Sequence, residues 1–247
     1  MEWKHPFTAI VTGPTGCGKT QFTKRFLKNI TSMVNVVFDR KILYYGEWQR
    51  SYLKFGKDVE FREGIPQSED FAGDNRPKLV IIDDLMREGS NSTIVDLFTK
   101  GSHHKNLSII FITQNLFHQG PGQRIITLNA SYIVIFKNPR DRSQISHMGH
   151  QVYPENSKFL QEAYFDATSQ PHGYLLLDLK QETPEICRVR TNIFPMTQLC
   201  LRTQGYKRRC KQPRAINLSL IMAKATPVLD KKTAYVLNGF YHLNKNQ

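Results

Sequence analysis

The hydrophobic positions in the first two-thirds of the chain fall into two alternating patterns. Short runs of consecutive apolar residues, such as 79–82 and 109–112, are typical of strands buried on both faces of a parallel sheet. Between them lie longer segments in which apolar residues recur at helical spacing, as at Phe22, Phe26 and Leu27. This alternation predicts an α/β fold with a mainly parallel sheet sandwiched between helices.

The bounds of the expected elements follow from where each pattern starts and stops. We expect strands at residues 7–11, 41–45, 59–61, 79–82, 107–113 and 131–136, and two closing strands at 173–179 and 186–189, of which an edge hairpin is one arrangement. We expect helices directly after residue 20 and at 47–55, 93–100, 139–149 and 154–167, and loops at 68–76 and 120–122.

Residues 13–20 form a glycine-rich motif between the first strand and the first helix. They read Gly-Pro-Thr-Gly-Cys-Gly-Lys-Thr and match the phosphate-binding P-loop pattern Gly-x-x-x-x-Gly-Lys-[Ser/Thr]. Glycines permit a turn whose backbone N–H groups point at one phosphate, Lys19 adds positive charge for the β- and γ-phosphates, and Thr20 is suited to Mg²⁺. The alternative is a glycine-rich turn without a ligand. The predicted residues for ATP binding are Gly13, Pro14, Thr15, Gly16, Cys17, Gly18, Lys19, Thr20 and Gln21.

Two carboxylates, Asp83 and Asp84, follow the apolar run 79–82. Ligands of parallel sheets bind beyond the carboxyl ends of the strands, so we predict that Asp83 holds Mg²⁺ together with Thr20. Asp84 is the candidate that orients or deprotonates the attacking water in triphosphate hydrolysis. The alternative is that one or both acids cap the helix that follows.

Gln114 ends the apolar strand predicted at 107–113. Because an amide can donate to phosphate and accept from water, we predict that Gln114 senses the γ-phosphate. Turn formation by Gln114 and Asn115 is the alternative.

Phosphoryl transfer also gains from an arginine at the γ-phosphate, often supplied by a neighbouring subunit. Arg124, in the glycine-flanked loop expected after Gln114, is the candidate that we carry forward as catalytic. The spacing along the chain does not favour Arg124 over the three other candidate arginines. For each candidate the alternative role is a surface salt bridge. The other candidates are Arg87, Arg140 and Arg142.

Charge and composition favour an intracellular protein with a basic tail. Residues 200–247 hold ten Lys or Arg against one acid, which is +9 of the net +13. Such a run indicates nucleic-acid contact or nuclear import, and a solvated tail without a partner is the alternative. The chain shows no signal peptide and no apolar run long enough to span a bilayer, so we expect a soluble protein without a membrane partner. Neither the four scattered cysteines nor the paired histidines 103–104 have zinc-site spacing.

Four segments together resemble the genome-packaging ATPases of large eukaryotic DNA viruses and of polinton-like and adintovirus-like elements. These ATPases belong to the FtsK–HerA superfamily of P-loop NTPases. The segments are 13–20, 79–85, 100–115 and 128–141, and the resemblance covers about residues 6–190. Two positions depart from the pattern: Asp84 stands where cellular members usually carry glutamate, and Lys100 stands where many relatives carry arginine.

The resemblance implies a RecA/ASCE-like ATPase domain at residues 1–199 and an appended basic tail at 200–247. It implies a homo-oligomeric ring that uses ATP and Mg²⁺ to translocate double-stranded DNA into a capsid, docked on a capsid or portal-like vertex protein. Such a protein is virus-encoded and works in the host nucleus or at the site of virion assembly. The first strand begins near residue 7, which favours a minimal stand-alone motor.

Two other functions suit the same motifs. One is a small-molecule or nucleotide kinase of P-loop fold, although no arginine-rich lid segment is evident in the sequence. The other is a nucleotide-gated assembly factor that binds ATP without hydrolysing it.

Overall fold

A single eight-stranded sheet forms the centre of the computed structural model. The structure describes residues 2–71, 75–83, 85, 92–101, 106–117 and 121–195. In chain order the strands are β1 (Thr8–Thr12), β2 (Arg40–Tyr45), β3 (Val59–Glu63), β4 (Lys78–Asp83), β5 (Leu107–Thr113), β6 (Tyr132–Phe136), β7 (Tyr174–Asp178) and β8 (Val189–Arg190).

The strand order across the sheet is β3-β2-β4-β5-β1-β6-β7-β8. The first six strands along the chain all pair in parallel, whereas β7 runs antiparallel to both β6 and β8. The carboxyl ends of β1, β4, β5 and β6 therefore meet at one edge of the sheet, where ligands of such folds bind. The expected edge hairpin is confirmed by the β7–β8 pair.

The helices of the described residues cover both faces of this sheet. In chain order they are α1 (Lys19–Lys28), α2 (Ile30–Met33), α3 (Ser92–Asp96), α4 (Pro121–Leu128), α5 (Ser143–Val152) and α6 (Ser157–Ala167). A π-helical turn at Leu97–Gly101 continues α3, and short 3₁₀ helices lie at Arg50–Lys54, Ser68–Phe71, Pro154–Asn156 and Glu185–Cys187. No helix in this described part is long and apolar enough to cross a membrane.

Two apolar clusters, one on each side of the sheet, explain the uninterrupted apolar runs of the sequence. Successive strand residues point to opposite faces. Thus Ala9 and Val11 of β1 pack in one cluster with Phe22 and Phe26 of α1, whereas Ile10 packs in the other. The helices α3 to α6 contribute Ile94, Ile126, Ile145 and Leu160 to this second cluster. The predicted α/β sandwich is thereby confirmed.

Several local predictions were wrong. The strand expected at 186–189 is largely replaced by the 3₁₀ turn Glu185–Cys187, and β8 covers only Val189–Arg190. The loop expected at 120–122 gives way to α4, which begins at Pro121; proline fits a first helical turn because its missing N–H would have no partner there. The helix expected at 139–149 begins only at Ser143, because Asp141 accepts hydrogen bonds from both the backbone and the hydroxyl of Ser143. The helix expected at 47–55 is only the 3₁₀ turn Arg50–Lys54.

Candidate nucleotide site

The P-loop backbone relies on glycine at several of its turns. Gly13, Gly16 and Gly18 have φ angles of 153°, 78° and 115°, a region that side chains other than glycine rarely adopt. At Gly13 space is also limiting, because an added Cβ would lie 2.7 Å from the Cβ of Phe136 and 2.8 Å from the Sγ of Cys17. The loop is therefore built against the end of β6 and accepts no side chain at Gly13.

Lys19 lies across this loop at the start of α1. Its Nζ donates to the carbonyl oxygens of Gly13 at 2.6 Å and Pro14 at 3.1 Å. The first turn of α1 holds no acidic residue, and no side chain of the described residues caps it. A helix start with open N–H groups and a lysine beside it favours an anion.

Asp83 lies at the carboxyl end of β4 and is only 4% exposed. One carboxylate oxygen accepts a hydrogen bond from the Tyr52 hydroxyl at 2.9 Å. Tyr52 belongs to the 3₁₀ turn after β2 and is itself buried among the rings of Tyr45, Trp48, Phe55 and Phe61. Tyr52 was not predicted from the sequence, where its place in an aromatic-rich segment is the only signal that points to it.

Gln114 follows the last residue of β5, the strand that lies between β1 and β4. The carbonyl oxygen of Thr113 accepts a hydrogen bond from the N–H of Gly13 at 3.3 Å, so the end of β5 is tied to the P-loop. The strand order therefore brings Gln114 between the P-loop and Asp83, and its side chain is exposed. The roles predicted for these residues remain predictions.

Comparison with solved structures gives a match to the genome packaging NTPase B204 of Sulfolobus turreted icosahedral virus 2, in complex with ATPγS. The two chains are 15% identical, the match covers 75% of this chain and 96% of that one, and the TM-score is 0.50. No family model and no curated protein matches the chain. This chain has a P-loop NTPase fold.

Two matches to Thermomonospora curvata EccC are weaker. The cytoplasmic domain of this type VII secretion ATPase is 11% identical, with 75% of this chain and 23% of that chain covered and a TM-score of 0.44. The structure of EccC ATPases 2 and 3 with a signal sequence peptide is 13% identical, with coverages of 54% and 30% and a TM-score of 0.39.

The structure does not place Arg124 in the loop expected from the sequence. Arg124 lies in α4 rather than in a loop, on the exposed side of that helix together with Ile125 and Leu128. The opposite side is buried, with Gln123 donating to the carbonyl oxygen of Leu116. Arg124 thus points to the protein surface, the position from which a side chain can contact a neighbouring molecule.

The remaining candidates are divided between exposed positions and residues outside the described part. Arg140 and Arg142 are exposed, and the Arg142 guanidinium lies 5.4 Å from the ring centroid of Phe165. Asp84, Arg87, the histidine pair 103–104 and the basic tail 200–247 lie outside the described residues.

Cys17 gives this P-loop a thiol with altered chemistry. Burial raises the pKa of the Cys17 thiol, and the positive charge of Lys19 opposes that rise. His172, at the turn before β7, donates through Nδ1 to the carbonyl oxygen of Cys17 at 3.0 Å. Since a carbonyl can only accept, Nδ1 carries the proton in this contact.

Two oxygen-bearing side chains of this site are suited to bind magnesium. The Thr20 hydroxyl and the Asp83 carboxylate are the hard oxygen ligands that Mg²⁺ prefers. Tyr52 engages one oxygen of Asp83, which leaves the carboxylate anchored in one orientation, as is usual for a metal-binding carboxylate.

Proposed function

We propose that this protein is an ATP-hydrolysing motor of the FtsK–HerA type that packages double-stranded DNA into a capsid. The observation that carries the proposal is the convergence of three strand ends, which brings the P-loop, Gln114 and Asp83 to one edge of the sheet. The likeness to a viral genome packaging NTPase solved with ATPγS supports ATP as the nucleotide and genome packaging as the process. The four sequence segments that resemble packaging ATPases support the same function independently.

In the proposed reaction each residue of the edge has a distinct task. Lys19 and the backbone N–H groups of the P-loop bind the β- and γ-phosphates, and Gln114 orients water at the γ-phosphate. The water oxygen bonds to the γ-phosphorus, the bond to the β–γ bridging oxygen breaks with its electron pair going to ADP, and Asp84 accepts the proton from water. Thr20 and Asp83 would hold Mg²⁺, which would supply positive charge against the triphosphate.

The proposal extends to the partners of the motor. A homo-oligomeric ring encloses the duplex, and the exposed Arg124 of one subunit completes the site of its neighbour. The ring docks on a capsid or portal-like vertex protein, in the host nucleus or at the site of virion assembly. The basic segment 200–247, as a separate tail after the ATPase domain 1–199, contacts DNA phosphates.

The experiment that tests the proposal compares phosphate release with and without linear duplex DNA. We expect the duplex to stimulate ATP hydrolysis, and Lys19→Ala to lower it about a hundredfold or more. Lys28→Ala, which removes the same charge from the exposed end of α1, is the control and keeps its activity. ATP consumption without free phosphate identifies a kinase, and tight binding without turnover identifies an assembly factor. Either outcome overturns the proposal.

A further inference from the structure

A cavity of about 430 Å³ lies beside the P-loop along α1. It begins at Lys19 and Thr20 and reaches four aromatic side chains that come from separate parts of the chain. Of the eleven described residues that line it, none is acidic. The aromatic wall consists of Phe22, Phe136, Tyr174 and Phe194.

The rings of the aromatic wall lie at close spacing, and Phe22 meets its three neighbours edge to face. The ring centroids of Phe22 lie 5.0 Å from those of both Tyr174 and Phe194. The Arg25 guanidinium lies 4.7 Å from the ring centroid of Phe194. Aromatic rings and arginine planes are the surfaces on which nucleobases stack.

Phe194 is held in place although it belongs to no helix or strand. The hydroxyl of Thr191 donates to the carbonyl oxygen of Tyr174 at 2.7 Å, and the N–H of Ile193 donates to the Tyr174 hydroxyl at 3.1 Å. These bonds fix the segment after β8 against β7, and Phe194 is only 7% exposed. Residue 195, next to Phe194, is the last described residue before the basic tail.

We propose that this cavity is the nucleobase subsite of the nucleotide bound at the P-loop, and that Phe194 and Arg25 form its outer wall. The inference rests on the proposed function, because it assumes triphosphate at Lys19. One ligand can reach both ends, since the cavity joins the phosphate-binding residues to the rings. The described segment after β8, which carries Phe194, is therefore part of the nucleotide site.

The test separates the base from the phosphates by comparing ATP with tripolyphosphate, which has no base. In the full-length protein we expect Phe194→Ala to weaken ATP binding about tenfold, the loss of one stacked base, and to leave tripolyphosphate binding unchanged. Phe165→Ala removes another ring beside an arginine, one that does not line the cavity, and leaves both affinities unchanged. Calorimetry gives each dissociation constant.

Phe194→Trp keeps an aromatic ring at position 194 and gives a second measurement if the alanine variant fails to fold. We measure the tryptophan fluorescence of this variant minus that of the wild-type protein. If the base lies against residue 194, this difference changes on addition of ATP and not on addition of tripolyphosphate. Equal ATP affinity of Phe194→Ala and wild type overturns the inference, and so does an equal loss for both ligands. If Lys19→Ala still binds ATP and tripolyphosphate tightly, the proposed function fails instead, so the two failures are distinguishable.

Discussion

The phosphate side and the aromatic side of the candidate nucleotide site are built in different ways. The phosphate side is one continuous stretch, residues 13–20, whose conformation comes from glycines and the start of a helix. The aromatic side is assembled from α1, β6, β7 and the segment after β8, which are up to 172 positions apart between Phe22 and Phe194. Local backbone chemistry shapes the first, and the strand order shapes the second.

The two sides nevertheless depend on each other at one contact. The backbone of Gly13 packs directly on Phe136, so the continuous motif takes its position from a strand more than a hundred residues away. A P-loop sequence thus needs the sheet as well as its glycines. This dependence can be broken selectively, because the loop also contains a glycine with free space around it.

Gly13→Ala is expected to have the largest effect. The new Cβ would meet Phe136 and Cys17 at under 3 Å and would strain a positive φ angle. Steric overlap and backbone strain each cost about 1–3 kcal/mol, so we expect a loss of about 3 kcal/mol in the free energy of unfolding, together with loss of nucleotide binding. Chemical denaturation and calorimetric titration with ATP measure the two effects.

Gly16→Ala is the matched control for the steric part. Gly16 also has a positive φ of 78°, but nothing lies within 4 Å of an added Cβ. We expect only the left-handed backbone cost, about 1–2 kcal/mol. Equal destabilisation by the two substitutions would show that contact with Phe136 is unimportant.

Tyr52→Phe is expected to have the next largest effect, on the acidic residue of the site. It removes the hydroxyl that donates to Asp83 and keeps the buried ring. Removing a partner that orients a metal ligand typically costs 10–100-fold in metal affinity, so we expect the Mg²⁺ concentration for half-maximal hydrolysis to rise about tenfold. Thermal unfolding without Mg²⁺ or nucleotide should also show a loss of about 1–2 kcal/mol.

Tyr44→Phe controls for the loss of any tyrosine–aspartate hydrogen bond. The Tyr44 hydroxyl donates to Asp70 at 2.8 Å, and Tyr44 lies in β2, the strand next to β4 and its Asp83. We expect it to lower stability without changing the Mg²⁺ dependence. A shift of that dependence in Tyr44→Phe, or none in Tyr52→Phe, would contradict a specific role for Tyr52.

Much of the fold was predictable because its signals are local. The run 107–113 is a strand with the predicted bounds, and the P-loop motif joins a strand to a helix as expected, with Lys19 and Thr20 forming the start of that helix. Strands buried on both faces must be apolar throughout, so they are easily found. The placement of Asp83 at the end of β4 followed from the same signal.

The residues that surround the motif were not predictable, since they meet only through the order of the strands. Nothing near Tyr52 in the sequence indicates that its hydroxyl reaches Asp83, and Phe194 looks like any apolar residue after the last strand. The helix that carries Arg124 was not predicted because Gly-Pro-Gly at 120–122 is typical of a loop, whereas Gln123, Ile126 and Thr127 recur at helical spacing and are buried in α4.

The smallest expected effect is a change in the reactivity of Cys17, which lies where the two sides meet. A raised pKa lowers the thiolate fraction at a given pH, so Cys17 should react with iodoacetamide several-fold more slowly at pH 8 than a free thiol, and faster as the pH rises further. The positive charge of Lys19 lowers the pKa of the Cys17 thiol and so opposes the effect of burial. Bound ATP phosphates would offset that charge, so nucleotide should slow the labelling of Cys17 further. Mass spectrometry of the peptide that contains Cys17 measures both rates. Labelling that ATP leaves unchanged would mean that the triphosphate does not bind beside Lys19.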